Sequence, residues 1–229
     1  MINKKRVLGV IPAGTASTET ARKNILPLAG KPLIAWTIET AQESAYIDQI
    51  LLLSDDEDII RFISVWADEV FLLTPPLMAA SLPNGAESVL YALSIVPGFD
   101  YVVYLHPSSP LRTSDDIDSC LEYCEEAAVP SCITVSKAVP PPYWLCEIND
   151  EITLLPVMKG PYGYQRNEVQ TAYVPNRAVY TANVKWLLDQ QSFFKEGDTV
   201  GWMMPEERSI IIESDIDFIF CEWVLSKYI

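Results

Sequence analysis

The sequence predicts an α/β fold built on a mainly parallel sheet, and three observations carry the prediction. Short apolar runs alternate with helix-like segments at the spacing of repeated βαβ units. Those runs are apolar throughout instead of alternating, as in a sheet covered on both faces. The 229 residues are 49% hydrophobic and 21% charged, enough apolar material for one large core. The length suits a single domain over residues 1–229 with at most a small arm inside it.

The expected elements follow in order. Arg6 to Ile11 is the first strand, and a helix runs from Pro32 to Glu43, with Pro32 in its first turn, where a missing N–H is harmless. Gln49 to Leu53 is a strand leading through LSDDED, in which Ser54 and Asp55 can cap the helix from Glu57 to Trp66. Strand Glu69 to Leu73, helix Ala86 to Ile95 and strand Tyr101 to Leu105 come next. Helix Ser114 to Ala127 has Asp115 and Asp116 at the positive end of its dipole, and strand Cys132 to Ser136 follows.

After Lys137 the texture changes. Pro140, Pro141 and Pro142, alternating apolar residues and the turn pair Asn149-Asp150 predict a hairpin arm over residues 138–170. Its Tyr143, Trp144, Leu145, Leu154, Leu155, Val157 and Met158 are many apolar groups for a protrusion, which predicts a partner surface, a second copy making a homodimer. Arg177 to Thr181 is then a strand, Val184 to Gln190 a short helix, the RSIII run from Arg208 a strand, and Ser214 to Tyr228 the last helix. There is no internal repeat.

Charge and composition exclude several functions. Sixteen Lys plus Arg against 31 Asp plus Glu give a net charge of −15, which disfavours nucleic acid as a partner, and any anionic substrate then requires a local basic pocket. The single histidine, His106, excludes two-histidine metal chemistry and reads on its own as a packed or hydrogen-bonded residue. Five cysteines make an odd set without a CxxC pair; Cys120 and Cys124 share a helix face and read as core. The N-terminal MINKKR passes straight into VLGVIPA, too short for a signal segment, and no run approaches the ~20 apolar residues of a membrane span. The expectation is a cytoplasmic protein with reduced thiols, away from membranes.

In open parallel sheets ligands bind at the carboxyl ends of the strands. After the first strand comes PAGTASTETARKN, a small-residue loop ending in Arg22, Lys23 and Asn24, which can wrap a polyphosphate through backbone N–H groups and cations. It lacks the Walker A pattern, and a solvated loop with surface cations is its other reading. The exit of the fourth strand, LHPSSPLR, presents Ser108, Ser109 and Arg112 as donors for a carboxylate or hydroxylated substrate. SIIIESDIDF crowds Glu213, Asp215 and Asp217 at a helix start, where one or two carboxylates with substrate phosphates can hold Mg²⁺, or where the acids merely cap.

RKNILPLAGKPLIAWTIETA, LSDDED, LHPSSPLR, YVPNRAVY and SIIIESDIDF occur in the order found in the acylneuraminate cytidylyltransferases, and the chain resembles that family over nearly its whole length. The resemblance implies a nucleotide-diphosphosugar-transferase fold, a Rossmann-like three-layer sandwich, with dimerisation through the arm. It implies a reaction in which an anomeric hydroxyl of a sialic-acid-like nonulosonic acid attacks the α-phosphate of CTP with Mg²⁺, releasing pyrophosphate. It also implies site roles. Lys23 and Arg166 would be catalytic; Ala13, Ser17, Arg22, Lys23, Asn24 and Asn176 would bind the nucleotide; His106, Ser108, Ser109 and Arg112 would face the sugar; and Glu213 would hold the metal.

The departures from the family pattern are concentrated at these sites. Where the family loop usually reads ARGGSKGxPRKN, the chain has Gly14 for the arginine, Thr15 and Ala16 for two glycines, Thr18 for the lysine and Glu19 for the next glycine. At ~1.5–3 kcal/mol per charged hydrogen bond, two lost cations cost ~3–6 kcal/mol, on the order of 10²–10⁴ in triphosphate affinity, unless another cation substitutes. Ile211 and Glu213 replace a metal-binding aspartate pair, Thr74 and Val174 replace arginines, Arg177 replaces a glycine and His106 a glutamine. Three readings follow: a working synthetase, a noncatalytic homologue that binds a nucleotide, sugar or partner, and a nucleotidyltransferase with a different base.

Overall fold

The structure, a computed structural model, describes residues 1–14, 23–67, 70–74, 85–158 and 170–228. The expected site residues Ser17, Arg22 and Arg166, and the strand position Glu69, lie outside them.

In chain order the elements are β1 (Val7–Pro12), β2 (Pro27–Leu28), β3 (Lys31–Pro32), α1 (Leu33–Glu43), β4 (Gln49–Leu53), α2 (Glu57–Trp66), β5 (Val70–Leu73), α3 (Gly85–Ile95) and β6 (Tyr101–Tyr104). They continue with α4 (Ser114–Glu126), β7 (Ser131–Lys137), β8 (Cys146–Ile148), β9 (Leu154–Pro156), β10 (Tyr173–Asn183), α5 (Val184–Gln190), β11 (Thr199–Met203) and α6 (Asp215–Tyr228). Seven strands form one sheet in the order β11, β7, β10, β6, β1, β4, β5. All its pairs are parallel except those of β10, which runs antiparallel between β6 and β7.

Why β1 sits at the centre can be read from its side chains. Val7 and Ile11 point to one face and pack with Ile34 and Ile38 of α1, Ile59 and Ile63 of α2 and Ile117 and Leu121 of α4. Leu8 and Val10 point to the other and pack with Val89 and Leu93 of α3 and Leu187 of α5. A strand apolar at successive positions can be buried only between two helical layers, which gives the three-layer arrangement. Each fully buried aliphatic side chain contributes ~1.5–3 kcal/mol from apolar burial. Gly85 opens α3 because the Tyr104 ring lies against it; a Cβ there would sit 2.5 Å from the ring's Cζ. Cys120, Cys124 and Cys132 are all buried on the α4 face as free thiols.

The structure corrects several local expectations. Pro32 is the residue before α1, not part of its first turn, because β2 and β3 pair there. Asp56, instead of Ser54 or Asp55, caps α2, accepting from the N–H groups of Asp58 (2.8 Å) and Ile59 (3.2 Å). Ser54 instead donates its hydroxyl to the Ala13 carbonyl at 2.8 Å. RSIII is not a strand: residues 206–208 form a 3₁₀ turn and Ile212 packs into a satellite core with Leu28, Leu33 and Leu225. Its place at the sheet edge is taken by β11, whose half-exposed TVGWM lacks the continuous apolar signature of the other strands.

The arm exists as a hairpin of β8 and β9, paired through Cys146 to Pro156 and Ile148 to Leu154, with every residue of both strands exposed. It leaves the sheet after β7 and returns as β10, so both its ends are fixed in neighbouring strands. Among the described residues no helix is long and apolar enough to cross a membrane.

Candidate functional site

The chain builds β4 and β5 on one side of β1, then crosses to build β6 on the other. In open α/β sheets such a reversal places the ligand crevice beyond the carboxyl ends of the strands, here those of β1 and β6. Because β10 is antiparallel to β6, its first half, not its second, reaches the same edge.

The loop after β6 builds one wall. His106 is half-buried, and its Nδ1 accepts from the Ser108 N–H at 3.3 Å and meets the Ser108 hydroxyl at 2.6 Å. An Nδ1 that accepts a backbone N–H leaves the ring proton on Nε2, so a neutral His106 presents a donor from that nitrogen. Burial, then the positive charges of Arg177 and Arg112, push its pKa down to about 4, and the ring is neutral at physiological pH. Ser108 also accepts from the Ile212 N–H through its carbonyl at 2.7 Å, which brings the segment before α6 to the crevice.

Ser109, Arg112 and Asn176 sit behind this wall rather than in it. Ser109 is fully buried and donates to the Asn176 carbonyl at 3.1 Å. The Arg112 guanidinium, 3% exposed, donates to the Ala178 carbonyl (2.7 Å), the Thr37 hydroxyl (2.8 Å) and the His106 carbonyl. Asn176 uses both ends of its amide internally: Oδ1 accepts from the Thr134 hydroxyl (2.6 Å), and Nδ2 donates to Ser209 Oγ at 3.0 Å. These three expected contact residues therefore serve in this structure to fix backbone, and Thr134, which the sequence reading did not single out, belongs with them. Nothing in a strand threonine's sequence context marks such a role.

What they fix is β10 on either side of Arg177. The β10–β7 register shifts between Pro175 and Tyr180, a bulge, and Arg177 within it has a left-handed φ of 57°. For an arginine that conformation costs roughly 1–2 kcal/mol. The Arg177 guanidinium meets Glu213 Oε1 at 3.1 Å, both side chains being largely exposed. Lys23 donates its ammonium to the Glu213 backbone carbonyl at 2.7 Å. Asn24 beside it is buried, and Ala13 lies in the floor, its N–H on the Leu53 carbonyl at 2.7 Å.

The crevice edge thus collects Lys23, Arg177, Glu213 and the neutral His106. The described residues do not fit a metal held by the protein alone. Among them no group of three His, Cys, Asp or Glu side chains is placed to hold a metal ion, Glu213 is paired with Arg177, and Asp217 caps α6 by accepting from the Ser214 N–H at 2.7 Å.

The family model for cytidylyltransferases matches residues 8–200. The chain belongs to the cytidylyltransferase family. This cytidylyltransferase family member is 28% identical over 216 residues to the N-acylneuraminate cytidylyltransferase of Escherichia coli O18:K1:H7, covering 94% of this chain and 51% of that protein. It therefore spans about half the length of the first curated relatives it matches. Over 225 residues it is also 28% identical to the CMP-N,N'-diacetyllegionaminic acid synthase of Legionella pneumophila, covering 95% of each chain. Among solved structures, a CMP:2-keto-3-deoxy-manno-octonic acid synthetase complexed with CTP superposes with a TM-score of 0.70 at 14% identity, covering 98% of this chain and all of that one. The family member thus has the expected nucleotidyltransferase fold.

Proposed function

We propose that the chain transfers the cytidylyl group of CTP to a sialic-acid-like nonulosonic acid and releases pyrophosphate. The observation that carries this reading is the position of Lys23, held by the Glu213 carbonyl at the carboxyl edge of the sheet of a cytidylyltransferase-family fold. The names of relatives at 28% identity point to the same class of sugar.

In this reading the anomeric oxygen forms a bond to the α-phosphorus while the bond to the pyrophosphate oxygen breaks, and the hydroxyl proton leaves to solvent. Little covalent chemistry falls to the protein, so its work is positioning and charge stabilisation. The Lys23 ammonium attracts the phosphates, and His106, with Nδ1 occupied by Ser108, donates from Nε2 toward the sugar side. Ser109, Arg112 and Asn176 keep the walls in place from behind. Ser17, Arg22 and Arg166 complete the reading as loop and arm contributions to nucleotide and sugar. Glu213 would be the protein carboxylate to hold Mg²⁺ together with the substrate phosphates, since a phosphate-bound Mg²⁺ needs only one or two protein ligands and would supply charge stabilisation at the phosphates.

The arm supports a homodimer: Trp144, Leu145, Ile148, Leu154 and Leu155 are all more than two-fifths exposed on it. Five free thiols suit the reducing cytoplasm. The test is pyrophosphate release from CTP and Mg²⁺ with N-acetylneuraminic, legionaminic or pseudaminic acid. Release is expected with at least one acid, and Lys23→Ala lowers kcat/KM by about 10- to 100-fold or more, as for one lost charged hydrogen bond. No release with any of them sinks the reading.

A further inference from the structure

We propose that Arg177 is an anion-binding residue of the crevice, its guanidinium leaving Glu213 to take an oxyanion of the substrate, a nucleotide phosphate or the sugar carboxylate. The proposal deepens the functional reading above and rests on it for the identity of the substrate.

Three independent observations lead to it. The first is backbone geometry. Among the described residues the other left-handed non-glycine positions, Asn3, Lys4, Ala29, Ala128, Ile152 and Gln191, lie in turns or at helix ends, whereas Arg177 lies inside a strand. Strain of that kind persists only where its surroundings over-determine it, and bulges beside sites commonly re-aim a side chain. The second is the clamp on both flanks. Asn176 is held through its carbonyl by Ser109 and through its amide by Thr134, and Ala178 through its carbonyl by the buried Arg112. Three polar side chains, Ser109, Thr134 and Arg112, are therefore occupied in holding the chain around one exposed arginine. None of their bonds reaches the guanidinium, which among the described residues meets the Glu213 carboxylate.

The third is the company the guanidinium keeps. It meets the Glu213 carboxylate while Lys23 meets the Glu213 carbonyl, so two cations from distant parts of the chain flank one residue at the carboxyl edge. The Arg177 charge also reaches His106, Tyr104 and Tyr180, the rings that line the end of β6 and its neighbour on β10. Glu213 serves as a resident counter-ion, largely exposed and so cheaply displaced; an exposed pair of this sort is worth little by itself. A phosphate or carboxylate engaged through two of its oxygens satisfies the planar fork in bidentate fashion, whereas Glu213 meets it through Oε1. In a molecule with net charge −15, Lys23 and Arg177 offer an anion two positive charges at this edge.

The experiment measures binding of pyrophosphate, CTP and N-acetylneuraminic acid to the full chain by isothermal titration calorimetry. Arg177→Gly is the informative variant, because glycine adopts the left-handed conformation without strain and the fold is retained. Its melting temperature is expected within about 2–3 °C of the parent, and its affinity for at least one probe is expected to fall about 10- to 100-fold. A parallel fall for pyrophosphate and CTP assigns the phosphate; a fall for the sugar acid alone assigns the carboxylate. Arg177→Lys, which keeps the charge but not the fork, is expected to recover part of the loss. The proposal is overturned if Arg177→Gly binds all three probes as the parent does, or if the parent binds none. Failure of the functional reading looks different: no product forms from CTP and any sugar acid, while anion binding still depends on Arg177.

Discussion

At the scale of residues, His106 is the most informative single position. Its pKa of about 4 in the folded chain lies below the ordinary 6.5, so between these values the unfolded state binds more protons than the folded one. Stability contributed by this residue is therefore complete above pH 6.5 and is lost as the pH falls toward 4, by at most about 3 kcal/mol. His106→Gln is expected to flatten the difference: urea unfolding at pH 6.5 and 4.5 should show the parent losing more stability than the variant. Equal losses would mean that the ring is solvated and unperturbed. The sequence showed that a lone histidine stood in the loop after the fourth strand, and read it both as a packed residue and as a sugar contact. The bond from the Ser108 N–H, which decides its tautomer, depends on a tight turn of three residues that no periodicity reveals. The same holds for Arg112 and Asn176. Their residue types suggest contact with ligand, and only packing shows that Ala178 and Thr134 engage them.

At the scale of elements, the helices and central strands were legible because they are amphipathic or wholly apolar with polar ends; α2 and β4 match the sequence reading residue for residue. The edge strand β11 was not, because a strand with one neighbour and solvent beside it needs no continuous apolar run. The hairpin arm was legible from its prolines and turn pair, and it carries the next prediction. Four of the five cysteines are buried and Cys146 on β8 is exposed. In native protein diluted to where it is monomeric, Ellman's reagent is expected to titrate one thiol quickly and the others only on unfolding. If the arm mates with a second copy, Leu154→Asp should shift sedimentation from dimer to monomer at micromolar concentration and speed the reaction of Cys146. A monomeric parent with unchanged thiol kinetics would refute the pairing.

At the scale of the whole molecule, the acidity and the fold stand in tension only until the crevice is located, since Lys23 and Arg177 concentrate positive charge where an anion would dock. The insertion of β10 between β6 and β7 has a separate consequence, for the order in which the chain acquires structure. β6, β1, β4 and β5 can pair as soon as residue 104 has been made, but β7 has no partner among them and must wait for a segment ending at residue 183. Contacts of such sequence separation slow folding and leave strand edges open meanwhile. A chain ending at residue 137 is expected to show helical circular dichroism but broad urea unfolding, and one ending at residue 204 a cooperative transition; cooperative unfolding of the shorter piece would contradict this. The strand that brings Arg177 to the crevice is thus also the strand that closes the sheet. During synthesis, a nascent chain that lacks β10 therefore lacks both the bridge between β6 and β7 and one of the two cations of the anion site.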